Sequence, residues 1–507
     1  MNDFAHVGLR ALAVVRSTLR RHPTAALGAG GFTAATLTVV AGGQIGAPRS
    51  VIPLTSWLGL LSRNGASTGS FLPGTLMLTG IVGLLLLWLV ALRIYRAGQT
   101  AERTVWCVAA AWGLPFVVGP PLLSNDVFTY AAQGLLQRRG LDPYLVGPAA
   151  LGNVRALDAV DPSWRSVPSP YGPFATMLQH LAIAISGGSP LGAALVFRAL
   201  GVACLVAIGV LAADLAGLRR VQALTLTVLN PLLLLHVVSA AHLDGVMCVL
   251  LLAAVVAAGQ RRWTLGIVLA VAAGEVKAPA FVAVVAIIAA HTQRNRARRA
   301  WEVCGRHILT VSVCLAVVSL VVHDSWGWIH ALNAPALGHT ALAPASLLSD
   351  LLRPVVPGAS FDDLAAGGRI TALAAAGFAV AYLTMTTRHR ALELTVGYGM
   401  LAVGVLSPVV YPWYLIGAVV TLAATARGAR RELVLFVSGV GCVLGPPGFS
   451  SAVANTLDAA AIVVFAIVLG PRLLERYGRA PQRWPHPGAP EPVPQQSRSD
   501  PKVTADG

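Results

Sequence analysis

Residues 104–123 read TVWCVAAAWGLPFVVGPPLL and run directly into Ser124-Asn125-Asp126-Val127-Phe128-Thr129-Tyr130. The first stretch is about the ~20 apolar residues that a helix needs to cross a hydrocarbon core. The second puts an acidic residue where that helix leaves the bilayer. Residues rich in Pro, Trp and Tyr follow before the next clear apolar span. A carboxylate at the mouth of a long polar loop is where an enzyme acting on a lipid-linked substrate would hold its base.

The rest of the chain repeats the first half of this pattern. Hydrophobic residues make up 56% of it and charged residues 11%, and its mean hydropathy is +0.70. That balance excludes a soluble globular protein. The net charge of +16 does not mark a nucleic-acid binder, because the arginines sit in short clusters between apolar spans, the positive-inside pattern. The two lysines are Lys277 and Lys502. Cys107, Cys204, Cys248, Cys304, Cys314 and Cys442 lie in or beside apolar spans without CxxC spacing. They read as small buried apolar residues, not as a disulfide framework.

Arg93, Arg96 and Arg103 separate spans at 74–95 and 104–123 and mark the cytoplasmic side. A first span at 24–44 then places the basic segment 1–23 in the cytoplasm, and the loop 124–189 outside. Within that loop, 171–187 is expected to be an interfacial or half-buried helix. Further spans are expected at 190–215, 221–239 and 243–258, with Arg219-Arg220 and Arg261-Arg262 inside. The apolar stretch 263–290 is broken at Gly274-Glu275-Val276-Lys277-Ala278-Pro279, where Pro disfavours a continuing helix. Arginines at both its ends make it a hairpin of two short helices with its turn toward the outer side. A span at 308–322 leads to a second external loop, 323–368. Spans at 369–387, 391–407, 411–426, 431–446 and 453–470 complete the bundle, and the Pro-rich tail 471–507 is expected to be cytoplasmic and disordered. The expected fold is an all-α polytopic membrane protein. It has about 13–14 transmembrane helices over 24–470, interfacial helices in the large first external loop, and both termini inside.

The unusual polar residues gather on the external side: Asp126, Asp142, Tyr144, Asp158, Asp161, Arg165, Tyr171, His242, Asp244, His323, Asp324, His330, His339, Tyr411, Trp413 and Tyr414. Each has an ordinary alternative. Asp126 and Asp244 also suit helix starts, and Trp and Tyr at helix ends commonly anchor at the interface. The histidines of the second loop lack metal-ligand spacing, so no metal is expected. Lys277 stands out as the lysine within the membrane region, since ionisable groups at that depth are expensive and usually functional. A Glu275–Lys277 pair is the competing structural reading. In the functional one, Lys277 at a broken helix holds a phosphate, and Asp126 takes a proton from an acceptor hydroxyl.

The motifs Ser124-Asn125-Asp126-Val127-Phe128-Thr129-Tyr130, Gly140-Leu141-Asp142-Pro143-Tyr144, Asp161-Pro162-Ser163-Trp164-Arg165 and Ser169-Pro170-Tyr171-Gly172-Pro173 resemble, in order and spacing, those of a known family. So do Asn230-Pro231, His242-Leu243-Asp244-Gly245, Lys277-Ala278-Pro279 and Ser407-Pro408-Val409-Val410-Tyr411-Pro412-Trp413-Tyr414. Over roughly residues 70–425 the chain resembles the actinobacterial polyprenol-phosphomannose-dependent α-1,6-mannosyltransferases of the GT-C class. The resemblance implies a multi-pass plasma-membrane enzyme with its active site on the external face and no cofactor. It implies inverting transfer of mannose from polyprenyl-phosphate-mannose to the α-1,6-mannan of a lipomannan-type glycolipid. Membrane lipids, the donor and the acceptor are the expected partners, and nucleic acid is not. Asp126 is then the expected base and Lys277 the donor-phosphate ligand. Asn125, Tyr130, Asp142, Tyr144, Arg165, Tyr171, His242, Asp244, Tyr411 and Trp413 are expected to line the substrate site. The motifs leave open another polyprenyl-phosphate sugar, arabinofuranose or glucose, and a lipid-linked sugar flippase.

Overall fold

The structure is a computed structural model that describes residues 22–45, 56–57, 61–62, 71–95, 99–322, 326–331, 343–356, 358, 360–445, 457, 459–464 and 466–467. His323, Asp324, His339 and half of the span expected at 453–470 lie outside the described residues. Apart from a two-residue antiparallel pairing of Ser56–Trp57 with Leu61–Ser62, the architecture is helical. The first bundle comprises α1 (Pro23–Gln44), α2 (Phe71–Ile94) and α3 (Glu102–Val118). Where apolar tails surround a protein, helices associate by close contact and by hydrogen bonds, and small residues make that contact possible. Gly31 is such a residue, since a Cβ there would overlap the Trp112 indole. The same indole donates from Nε1 to the Leu27 carbonyl at 2.8 Å.

The loop helix α4 (Asp126–Arg138) starts where α3 has ended, and α5 (Pro173–Ile185) packs against it. Gly134 permits that packing, as a Cβ there would lie 2.2 Å from the Gln179 carbonyl oxygen. Next come α6 (Pro190–Ala216) and α7 (Arg220–Thr227). The run Pro190–Thr227 is helical and holds a strongly apolar window, yet it is not one rod. Gly217 takes φ +57°, and the chain doubles back. Gly209 then faces Val228, and Gly201 faces Val237. The expected turn at Arg219-Arg220 is therefore present. Arg198, 4% exposed inside α6, donates to the carbonyls of Phe116, Val117 and Gly119 at the end of α3 and to that of Ser239. Such carbonyls carry the negative end of the helix dipole, and they satisfy a cation that would be costly at this depth unpaired.

The span expected at 221–239 is interrupted. Asn230 accepts from the Leu232 amide and caps a new start at Pro231. The segment Pro231–Ser239 ends in a π-helical turn, Leu234–Ser239, and meets α8 (Asp244–Gly259) at a bend of 118°. Helices α9 (Trp263–Val276) and α10 (Phe281–Thr292) form the expected hairpin. Its open ends meet where Trp263 stacks on His291 at 4.4 Å. Its tip is Lys277, held in extended conformation, and a turn at Ala278–Ala280.

Then follow α11 (Ala297–Val321), α12 (Pro344–Leu352), α13 (Phe361–Met385), α14 (Leu392–Val405), α15 (Ile416–Ala424) and α16 (Ala429–Val443). Leu309, Val313 and Val317 of α11 and Ile370, Leu373 and Phe378 of α13 are exposed apolar side chains, as suits a surface facing lipid. Among the described residues, five helical runs are long and apolar enough to cross a membrane, six if the bent pair counts as one. Most of the other expected spans appear as shorter apolar helices of 10–17 residues.

A candidate active site at the hairpin tip

Three chain breaks build the site: the start of α4, the bend before α8 and the tip of the α9–α10 hairpin. Asp126 is the first residue of α4 and its amide donates to Ser124 Oγ at 3.1 Å. A helix N-terminus is a favourable place for a carboxylate. Its Oδ2 lies 3.4 Å from His242 Nδ1, and the Asp126 side chain remains 17% exposed while the imidazole is fully buried. Burial pushes this carboxyl up, but His242, Ser124 and the charge of Lys277 outweigh that effect. The group is held below its ordinary value.

His242 is brought in by Ala241, a non-glycine residue at φ +54°. The Tyr130 hydroxyl lies 3.4 Å from the same Nδ1 and 3.1 Å from the Tyr171 hydroxyl. Burial raises both phenols well above their ordinary value, so they act as neutral hydrogen-bonding groups. The opposite wall is aromatic: His242 stacks on Trp413 at 4.2 Å, and Trp413 on Tyr411 at 4.6 Å.

Lys277 reaches into this space from the hairpin tip. Its Nζ donates to both Asp244 carboxylate oxygens, at 2.8 and 2.9 Å, and lies 4.2 Å from the centre of the Tyr414 ring. The competing Glu275–Lys277 pair is thereby corrected. Glu275 still belongs to α9, whereas Lys277 stands in extended backbone just past the helix end, and the lysine's partner comes from the start of α8, 33 positions earlier. Glu275 is 3% exposed, and its Oε2 has no hydrogen-bond partner among the described residues. Gly172 seals the tip against the first loop. A Cβ on it would lie 2.2 Å from the Glu275 carbonyl oxygen.

Asp126, Tyr130, Tyr171, His242, Asp244, Lys277, Tyr411 and Trp413 are thus linked by contacts into one cluster. Asn125 stands beside it at the N-cap of α4. Asp142, Tyr144 and Arg165 are occupied elsewhere. Asp142 accepts from the Tyr144 amide at 2.8 Å and closes its own turn. The Tyr144 hydroxyl bonds Thr176 at 3.1 Å, and Arg165 donates to the carbonyls of Val160 and Asp158. These three build the loop. The site holds two residues that motif reading did not single out as substrate contacts or partners, Tyr414 under the lysine and His236 behind His242 at 5.6 Å between ring centres. The available signal for His236 was a lone histidine within the apolar run 232–238. No group of three metal-binding side chains occurs among the described residues.

The cluster offers a partly exposed carboxylate, an ammonium and aromatic faces beside them. Such a set suits a sugar ring carrying an anionic leaving group. Comparison with known proteins shows what the chain is similar to. Residues 28–293 match the model of the alpha-(1->6)-mannopyranosyltransferase N-terminal domain, and residues 363–474 match that of the MptB C-terminal domain. Alpha-(1->6)-mannopyranosyltransferase A of Mycobacterium tuberculosis is 30% identical over 424 residues, 80% of each chain. A probable alpha-(1->6)-mannopyranosyltransferase of Mycolicibacterium smegmatis is 28% identical over 92% of this chain and 91% of its own. Alpha-(1->6)-mannopyranosyltransferase B of Corynebacterium glutamicum is 28% identical over 69% and 65%.

Proposed function

The chain belongs to the alpha-(1->6)-mannopyranosyltransferase family, and from that premise we propose that it transfers mannose from polyprenyl-phosphate-mannose to the α-1,6-mannan of a cell-envelope glycolipid, on the external side of the plasma membrane. The observation that carries this reading is the pairing of roles in one cluster of side chains. A partly exposed carboxylate, Asp126, is linked through His242, Tyr130 and Tyr171 to a lysine presented by a broken membrane hairpin.

In the proposed reaction the donor's polyprenyl chain stays in lipid and its phosphodiester sits at Lys277. Asp244 takes two of the ammonium's three N–H groups. The third is the one for a phosphate oxygen. Asp126 accepts the proton of the acceptor's 6-hydroxyl as that oxygen attacks the anomeric carbon. The C1–O bond to phosphate breaks, and its electron pair leaves on polyprenyl phosphate, whose charge Lys277 stabilises. A single displacement inverts the anomeric centre, so a β donor gives an α product. Phosphate leaves readily without a general acid, and the chemistry calls for no metal and no cofactor. Tyr130 and Tyr171 offer hydroxyls to the sugar, and the Tyr411–Trp413 pair offers a stacking face.

The test is to incubate membranes holding the protein with labelled polyprenyl-phosphate-mannose and a synthetic α-1,6-dimannoside, then to determine the product linkage. An α-1,6-linked trimannoside is expected. Label transfer from polyprenyl-phosphate arabinofuranose or glucose, with none from the mannose donor, would overturn the donor assignment.

A further inference from the structure

Glu275 is the last residue but one of α9 and stands two positions before Lys277 at the hairpin tip. It is 3% exposed, and its Oε2 is buried without a hydrogen-bond partner among the described residues. Lys277 does not neutralise it, because that ammonium is held by Asp244. Its place in the helix does not help either, since the last turn carries the negative end of the dipole. A buried polar atom left unpaired costs free energy, and an ionisable group in the membrane region is expensive. Residues 267–274 before it are apolar, and a leucine at 275 would carry none of these costs. The surroundings are aromatic. A Cβ on Gly274 would lie 2.6 Å from the Phe281 ring, so that ring packs on the last turn of α9. Phe281 runs parallel to Trp328 of the short helix Gly327–Ala331, with ring centres 6.3 Å apart. A Cβ on Gly327 would in turn lie 2.6 Å from the Tyr144 side chain. The end of the hairpin is thus packed with rings from both long loops and from α10. Aromatic faces with a few placed polar groups are the usual lining of a small-molecule site.

We propose that Glu275 is a ligand of the donor's sugar, its carboxyl accepting a hydrogen bond from a hydroxyl of the mannose. This role rests on the donor phosphate lying at Lys277, as set out above. The Cα atoms of residues 275 and 277 are at most about 7 Å apart, so a sugar joined to a phosphate at Lys277 comes within reach of the Glu275 side chain. A glutamate carboxyl ends three rotatable bonds, and side chains commonly change rotamer when a ligand arrives. The group therefore meets a hydroxyl without movement of the hairpin. A hydroxyl bonded there satisfies the buried acceptor, and a sugar that lacks it leaves the acceptor unpaired. That asymmetry lets a buried polar group discriminate between substrates. Glu275 carries no proton and forms no bond in the reaction. It fixes and selects the sugar while Asp126 and Lys277 act at its two reacting oxygens.

The test changes donor and enzyme together. Full-length wild type and Glu275→Leu are assayed for kcat/KM with polyprenyl-phosphate-mannose and with donors lacking the 2-, 3-, 4- or 6-hydroxyl. For wild type, one of the deoxy donors should be poorer by on the order of 10–100-fold, the worth of a hydrogen bond to a charged group. Glu275→Leu should use that deoxy donor and the complete donor alike, while the losses for the other three hydroxyls persist. A carboxyl that served only the fold would lower transfer from every donor by one factor and leave each ratio as in wild type. That result overturns the proposal. So does a loss of discrimination confined to deoxy acceptors, which would place Glu275 at the other sugar. If Glu275→Leu does not purify folded, the isosteric Glu275→Gln is measured. Its amide offers the hydroxyl a neutral acceptor, so the loss for the one deoxy donor should shrink without vanishing, and an unchanged ratio overturns the role. Failure of wild type to use the mannose donor overturns the donor assignment and the role of Glu275 together. Normal wild-type transfer with unaltered ratios in the variant overturns the role of Glu275 alone.

Discussion

At the scale of single residues, the site is a set of charges each held by a partner distant in sequence. Asp126→Asn keeps the shape of the side chain and loses its basicity, so transfer should fall by roughly 10²–10⁴-fold while the protein still inserts and purifies. The carboxyl of Asp126 is held below its ordinary value, so the base is ionised throughout the neutral range. Activity should decline only below about pH 4, the ordinary carboxylate region. The same depression stabilises the fold above that region and is lost as pH falls through the native value. His242→Phe removes the largest of the opposing influences and leaves burial unopposed by it, so the acid limb of the pH–rate profile should move upward. Lys277→Met leaves the Asp244 carboxylate, 1% exposed, without its cation, a loss worth about 3–5 kcal/mol in buried pairs. Thermal unfolding in detergent should show that loss, and Asp244→Asn/Lys277→Met should recover most of the stability but no transfer. The sequence made Asp126 and Lys277 conspicuous, because each is an ionisable group out of place beside apolar spans. It could not show that Lys277 answers to Asp244 rather than to its near neighbour Glu275. That choice depends on the direction of the backbone at the hairpin tip.

At the scale of elements, broken helices rather than whole ones carry the chemistry. Asn230-Pro231 and Ala278-Pro279 announced two of the breaks, since proline cannot continue a helix. The π-helical turn at Leu234–Ser239 had no such punctuation and emerges only from packing. Contacts between elements are set by glycines whose importance no composition count conveys. Gly172 brings the first loop onto the hairpin tip, its amide near the Val276 carbonyl at 3.4 Å. In Gly172→Ala the added carbon meets backbone, which must shift. Tyr171 should then lose its place beside Tyr130, and kcat/KM should fall by about 10-fold, equivalent to about 1.4 kcal/mol at the transition state. Overall helix content by circular dichroism should stay as it was. An unaltered kcat/KM would show that the loop can slide without cost.

At the scale of the molecule, membrane character and helical class were legible in hydropathy and in arginine spacing, since both follow from transfer free energy summed over many residues. Helix lengths were not legible, because burial against neighbours lets helices shorter than a full span replace whole ones. The orientation inferred from the arginines makes a direct prediction. In a Cys107→Ser background, an impermeant thiol reagent added to intact cells should label Ala149→Cys in the first loop. It should reach Gln260→Cys, at the turn before α9, only after the membrane is opened. Both positions are exposed. The reverse pattern would invert the whole topology. The α9–α10 hairpin also bears on the lipid around it. Its arms of 14 and 12 residues rise only about 21 and 18 Å at 1.5 Å per residue, against a hydrocarbon core of roughly 30 Å. Such hydrophobic mismatch is relieved by local thinning of the bilayer beside the short element. Acyl-chain length thus becomes a variable of the reaction. Reconstituted into vesicles of increasing chain length, the protein should lose turnover progressively, because thicker membranes resist the dimple through which a hydrophilic acceptor reaches the donor held at the lysine.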